Sequence, residues 1–348
     1  MKSWWVVLGI LVATASGAQT APQSLRGSGA TTMTELLAQW SKGQGATLPP
    51  LKYSPSGSSA GRSDVSEGKV DFAASEQPFS AAELQKFGLR QFPIVFTAIV
   101  PVVNLPAVAP GALRLDGPTL AGIFAGKIRR WNDPALTALN RELNLPALDI
   151  APIARADGSG STLAFTSYLS DTDEQWRQSR GAATRIKDFG GVVAEGTGGV
   201  LRAVQARPGA IGYAALGSAQ QAGVSIVQLR TPTGVWVLPS AESVGAAVGL
   251  GDWQKHLLDD DPAFDVSLIN LLSKRAWPIT TATYAIVPRR LRGSDPRTTL
   301  RFFQWGIENG ADAARAAGFI PVDDRLAFKI KLAWEVGQAA DRGAVPAR

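Results

Sequence analysis

The chain has 348 residues, 45% of them hydrophobic and 18% charged, with a formal net charge of +6. That length is enough for two domains with sizeable cores, and the composition is that of a folded globular chain rather than a disordered one. Cysteine is absent and the one histidine is His256, which excludes disulfides, thiolate metal sites and a catalytic thiol. The basic residues are scattered, with Arg129-Arg130 and Arg289-Arg290 as pairs rather than a stripe, so the excess charge outlines no nucleic-acid site.

The first residues read as an export signal. Lys2 is a basic start, residues 4–12 form a short apolar run, and residues 13–18 are small, ending in Ser16-Gly17-Ala18. The run is too short to span a bilayer comfortably, and no other stretch approaches eighteen apolar residues. A bacterial lipid anchor would need a cysteine at the cut. The expectation is cleavage near Ala18 and a soluble exported chain with no membrane anchor.

Residues 19–26 read as a polar leader. Gly27-Ser28-Gly29-Ala30-Thr31-Thr32 then precedes Met33, Leu36, Leu37 and Trp40 at helical spacing, with Thr31 or Thr32 as the expected N-cap. Leu51 and Tyr53 mark a short strand running into a loop, 54–61, and a helix over 61–67. Residues 70–76 read as a strand ending in a polar loop at Glu76. Residues 91–103 are almost continuously apolar, a buried strand long enough to pass between domains. Asp116-Gly117-Pro118-Thr119 starts a helix that Gly126 closes, and residues 132–147 hold a short amphipathic piece.

The most informative stretch is Ile153-Ala154-Arg155-Ala156-Asp157-Gly158-Ser159-Gly160-Ser161-Thr162. An apolar strand leads into it, and a helix leaves it carrying Phe165, Tyr168 and Leu169. Glycine lets backbone approach a ligand closely. The N–H groups and dipole at a helix start attract anions, and arginine offers a planar fork of donors to an oxyanion. The stretch reads as an oxyanion loop, and equally as a polar turn with an ordinary cap.

Beyond it, residues 171–195 read as irregular, Gly196-Thr197-Gly198-Gly199 opens a helix, and 209–213 is a short strand. Residues 240–273 read as mostly helical, 284–287 as a strand, and 296–309 and 322–337 as helices. Strands alternating with helices predict an α/β fold, in which ligands bind beyond the carboxyl ends of strands. Three Gly/Ser/Thr loops at helix starts could converge there.

These segments carry a resemblance. GSGATT (27–32), GSSAG (57–61), VDFAASE (70–76), LDGPTLAGIFAGKIRRWND (115–133), RADGSGST (155–162), PGAIGY (208–213) and AWPITT (276–281) resemble, in order and spacing, the periplasmic phosphate-binding protein family of bacterial high-affinity phosphate ABC transporters. The resemblance implies an α/β, type II periplasmic binding fold, with two lobes joined by a two-crossing hinge and the ligand cleft between them. Its lobes would be 25–98 with 279–340, and 99–278, after the signal at 1–18. It implies inorganic phosphate, as hydrogen phosphate or dihydrogen phosphate, as ligand. The permease of an ABC phosphate importer would be the partner, with periplasmic location, no cofactor, no metal, no enzymatic activity and a monomeric state.

Carried over by position, Thr31 and the Thr32 N–H would bind phosphate from the first loop and Ser58 from the second. Arg155, Ser159, the Gly160 N–H and Ser161 would do so from the third, with Asp157 orienting Arg155. Three positions depart from the family pattern: Thr32 stands where an aromatic residue is usual, Glu76 where aspartate is usual, and Ser161 where threonine is usual. From the residues alone, Glu76 reads first as a solvated loop carboxylate or a helix cap. The resemblance makes it the acceptor of the bound anion's proton, a group that sulfate lacks.

Other classes fit less well. Gly-x-Ser-x-Gly is absent, His256 sits in an amphipathic helix pattern, the Gly122–Lys127 spacing misses a phosphate-loop motif, and Gly27-x-Gly29 is too weak for a dinucleotide fingerprint. A secreted phosphate-binding homologue with a signalling, scavenging or phosphatase-related role is the alternative.

Overall fold

The computed structural model describes residues 24–253, 263–289 and 296–343. The expected export signal at 1–18, His256 and Arg290 lie outside these residues.

One strand organises the main sheet. Leu89–Val103 runs for 15 residues, every one buried, because its apolar run is covered on both faces. It changes partner midway. Leu89 to Ala98 pairs antiparallel with Thr280–Pro288, whereas Ile99 to Val103 pairs antiparallel with Ala210–Ala215. Beyond Thr280–Pro288 the order continues with Phe72–Ser75, Leu25–Gly29 and Leu51–Ser54, the last three mutually parallel. Beyond Ala210–Ala215 it continues with Ala151–Arg155 and Val192–Ala194, again parallel. At the switch the segment entering Thr280–Pro288 lies alongside: Ile99 N donates to Ile279 O at 2.8 Å, and Trp277 Nε1 donates to Ile99 O at 3.0 Å.

Each half of the sheet has its own aromatic core. On one side Phe72, Phe92, Phe302, Phe303 and Trp334 interlock edge to face, with the Phe72 and Phe303 centroids 5.0 Å apart. On the other, Phe165 stacks on Tyr213 at 4.4 Å and meets Phe124 edge-on at 4.8 Å. Trp131 seals this second core, its Nε1 donating to Gly209 O at 3.0 Å. Aromatic pairs of these geometries add about 0.5–1.5 kcal/mol each beyond the area they bury.

Several elements differ from the sequence expectation. Leu25–Gly29 is a strand rather than the end of a leader and a loop. Its glycines hid it, yet Gly27 is required because a Cβ there would lie 2.2 Å from the Phe72 ring. The helix expected over 61–67 begins earlier and runs Ser58–Ser66. Residues 171–195 contain a helix, Glu174–Ser179, capped by the Asp173 side chain, and an edge strand, Val192–Ala194. Among the described residues of 240–273, which leave out 254–262, Ala241–Leu250 is the one helix, and Phe264 and Asn270 adopt positive φ, which a helix cannot contain. A small sheet of Arg114–Leu115, Gln228–Arg230 and Trp236–Val237 was not legible, since its strands are two or three residues long.

Candidate anion-binding site

The carboxyl ends of the parallel strands in both halves of the sheet meet at one place, and four segments there begin helices. Leu25–Gly29 leads into a 3-10 turn, Thr31–Met33, and the helix Thr34–Gly43. Leu51–Ser54 leads into Ser58–Ser66, Ala151–Arg155 into Gly160–Thr172, and Val192–Ala194 into Gly196–Gln205. The first N–H groups of each helix have no intrahelical acceptor and carry the positive end of the dipole.

Thr31 and Thr32 do not cap their helix. The capping position falls on Ala30, no side chain caps the turn, and the loop is fixed by Ala30 N donating to Ala74 O at 2.8 Å. This leaves both hydroxyls for the site. Thr31 Oγ1 lies 3.1 Å from Thr197 Oγ1 and accepts the Thr197 N–H at 3.3 Å, while Thr32 Oγ1 donates to Glu76 Oε1 at 2.7 Å.

Glu76 follows the strand Phe72–Ser75 and is 4% exposed, so it is not a solvated loop carboxylate. Ser58 Oγ and Ser161 Oγ each lie 3.4 Å from its Oε2. Three hydroxyls from three loops thus face one buried carboxylate. Close by, Tyr53 OH donates to Ala30 O at 2.9 Å; burial pushes its phenol well above the ordinary value, and the Glu76 charge adds to this.

Arg155 ends its strand at 4% exposure. Its Nε donates to Asp157 Oδ1 at 2.7 Å, its Nη2 donates to Asp157 Oδ2, and its Nη1 donates to Thr197 Oγ1 at 3.2 Å. Burial raises the Asp157 carboxyl, but the hydrogen bonds and charge of Arg155, with the Gly196 N–H at 3.0 Å, outweigh it and hold the carboxyl below the usual range. The remaining guanidinium N–H groups stay available to a ligand. Ser159 caps Gly160–Thr172, its Oγ accepting the Thr162 N–H at 3.3 Å, which leaves its own hydroxyl proton to donate.

Gly160 brings its backbone hard against Glu76 and Ser58. A Cβ there would sit 2.6 Å from Glu76 Cβ, 2.7 Å from Glu76 Oε2 and 2.9 Å from Ser58 Oγ. Gly57, at φ 93°, brings the second loop against the third: a Cβ would lie 2.6 Å from Asp157 Oδ2. Ser59 N donates to Gly158 O at 3.1 Å across the same gap.

The structure therefore brings together Thr31, Thr32, Ser58, Glu76, Arg155, Ser159, Gly160 and Ser161, with Asp157 behind Arg155. Sequence reasoning missed Thr197, which is buried and touches both Thr31 and Arg155. The signal was the Gly196-Thr197-Gly198-Gly199 run; without its preceding edge strand it read as an ordinary helix start. Chemically, this is a pocket rich in hydroxyl, guanidinium and helix N-terminal donors, with one carboxylate acceptor. It suits an oxyanion that still carries a proton, since a fully deprotonated one would meet Glu76 charge to charge.

Known proteins resemble this chain over most of its length. The PBP superfamily domain matches residues 14–298. The chain is 38% identical over 321 residues to the phosphate-binding protein PstS of Xylella fastidiosa (strain Temecula1), covering 92% of this chain and 87% of that one. It is 36% identical over 316 residues to PstS of Haemophilus influenzae, covering 90% and 92%. Among solved structures, a phosphate-binding protein from Stenotrophomonas maltophilia superposes with a TM-score of 0.67 at 20% identity, over 89% of this chain and 93% of that one. The periplasmic phosphate-binding protein PfluDING, bound with phosphate, gives 0.69 at 20% identity over the same shares. The structural likeness establishes the type II periplasmic binding fold. The identities over most of both chains place this chain in the PstS family of phosphate-binding proteins.

Proposed function

We propose that this chain is an extracytoplasmic solute-binding protein that captures inorganic phosphate between two lobes and delivers it to the permease of an ABC phosphate importer. The observation that carries the reading is the convergence of three hydroxyls, Thr32, Ser58 and Ser161, on the buried Glu76 carboxylate, with Arg155 held by Asp157 alongside. The named relatives are phosphate-binding proteins. A desolvated dianion needs every oxygen satisfied, and charge-assisted hydrogen bonds of about 1.5–3 kcal/mol each offset its loss of water.

The binding residues in this reading are Thr31, the Thr32 N–H, Ser58, Arg155, Ser159, the Gly160 N–H and Ser161. Glu76 receives the proton of hydrogen phosphate. The lobes are 25–98 with 279–340, and 99–278, hinged where Leu89–Val103 changes partner. The mature protein is a periplasmic monomer cut near Ala18; no described helix is long and apolar enough to cross a membrane. It binds rather than transforms its ligand, so a chromogenic phosphate ester is expected to stay intact in its presence.

The test is calorimetric titration of the phosphate-stripped protein with phosphate, arsenate and sulfate. Tight binding of the two protonated anions and weak binding of sulfate is the expected result. Equal affinity for sulfate, or no heat with phosphate, overturns the reading.

A further inference from the structure

The two oxygens of Glu76 are treated unequally. Oε1 receives a short bond from Thr32 Oγ1 at 2.7 Å, well within the ordinary O–H···O range, whereas Oε2 has only the Ser58 and Ser161 hydroxyls at 3.4 Å. The under-satisfied oxygen is thus the one that faces the two helix starts offering donors to an anion.

Glu76 also lines a cavity of about 180 Å³, together with Leu163, Ser167, Asp265, Thr280 and Tyr284. A glutamate has one more rotatable bond than an aspartate, and that cavity, lined by Ser167 as well as by Asp265, is space towards which its carboxylate can turn. Something must hold it at the anion site against that freedom. Of the contacts to its carboxylate, only the one from Thr32 is short. Thr32 can give it because the capping position falls on Ala30 and the hydroxyl is not used by its own helix.

We propose that the Thr32 hydroxyl is a positioning and specificity-determining group, which pins Glu76 Oε1 so that Oε2 alone confronts the anion and selects one that brings a proton. This role is separate from the Thr32 backbone N–H and rests on the phosphate-binding reading above. With Oε1 occupied, an oxyanion must donate to Oε2 or leave it a buried, unmatched charge. With Thr32 silent, the carboxylate can withdraw into the cavity, and the penalty on sulfate falls.

The experiment is competitive titration of phosphate and sulfate, at fixed ionic strength, on wild type, Thr32→Val, Thr32→Ser, Glu76→Gln and the Thr32→Val/Glu76→Gln double variant. Valine keeps the shape of threonine without the hydroxyl. Thr32→Val is expected to lower the phosphate-to-sulfate preference about tenfold or more, the scale of one hydrogen bond to a charged group. Thr32→Ser should retain the wild-type preference. In the Glu76→Gln background, Thr32→Val should change the preference no further, since the group it acts through is gone. A wild-type preference in Thr32→Val overturns the proposal. So does an equal shift with and without Glu76, or a Thr32→Ser variant that behaves like valine. A wild-type protein that binds neither anion overturns the phosphate reading itself, and this proposal with it.

Discussion

Arg155 and Asp157 are joined by two hydrogen bonds, Nε to Oδ1 at 2.7 Å and Nη2 to Oδ2, between side chains only 3% and 13% exposed. Two residues apart at the end of one strand, they fix the plane of the guanidinium before any ligand arrives. A lysine at 155 would keep the charge but offer a single point in place of the fork. Arg155→Lys is therefore expected to fold and to bind phosphate at least about tenfold more weakly, because paired charge-assisted bonds become one. Calorimetry checks this; wild-type affinity in Arg155→Lys would show that the fork is not used.

The same pair makes a prediction about acid stability. The Asp157 carboxyl is held below its usual value of 3.8, burial opposing and Arg155 prevailing. A group whose folded pKa is depressed contributes stability above the unfolded value and loses it as pH falls through the folded one. The stability difference between wild type and Asp157→Asn should be constant from neutral pH down to about pH 4, the unfolded carboxylate range, and shrink below it. Urea midpoints of both proteins at matched pH, in phosphate-free buffer, measure the difference. A gap that widens on acidification would mean that the pair does not stabilise the fold.

Gly160 is predicted to be irreplaceable for binding. An added Cβ would fall within 3 Å of both Glu76 and Ser58, where the anion's oxygens are expected. Gly160→Ala should cost about 1–3 kcal/mol in stability as an overpacked site and reduce phosphate affinity by about two orders of magnitude. Retained phosphate affinity in a folded Gly160→Ala protein would place the anion elsewhere.

What the sequence made legible follows from how the site is built. Arg155, Asp157, Gly160 and Ser161 lie within one continuous stretch, and a strand, a glycine-rich turn and a helix can be read from seven or eight neighbouring residues. The long strand Leu89–Val103 announced itself by its apolar run, although its change of partner at Ala98 and Ile99 depends on segments more than a hundred residues away. Leu25–Gly29 and Val192–Ala194 were missed because neither carries the usual strand pattern. The first is glycine-rich to admit Phe72, and the second is a short exposed edge. Thr32 and Glu76 each had an ordinary local explanation, as a cap and as a loop carboxylate. Only the fold, by placing them 2.7 Å apart across 44 residues, removes both explanations.

Thr197 carries the last prediction. It sits in the first turn of Gly196–Gln205, a helix following the edge strand Val192–Ala194, on the same half of the sheet as Arg155. Its partner Thr31 follows Leu25–Gly29 in the other half. Its hydroxyl lies 3.1 Å from Thr31 Oγ1 and accepts from Arg155 Nη1 at 3.2 Å, and its N–H donates to Thr31 Oγ1 at 3.3 Å. One residue thus links a proposed ligand of one proposed lobe to a proposed ligand of the other, and on the hinged reading proposed above the link is expected only while the lobes are together. Thr197→Val keeps the shape and the N–H but removes the hydroxyl. Net hydrogen bonds of about 0.5–1.5 kcal/mol should then be lost from the closed form. The expected outcome is phosphate release accelerated several-fold with the association rate little changed, because the lost contact forms after encounter. Small-angle scattering should show wild type compacting on phosphate addition by hinge closure, and Thr197→Val compacting less at the same occupancy. Stopped-flow release rates equal to wild type, with identical scattering in both states, would reduce Thr197 to a packing residue of its helix.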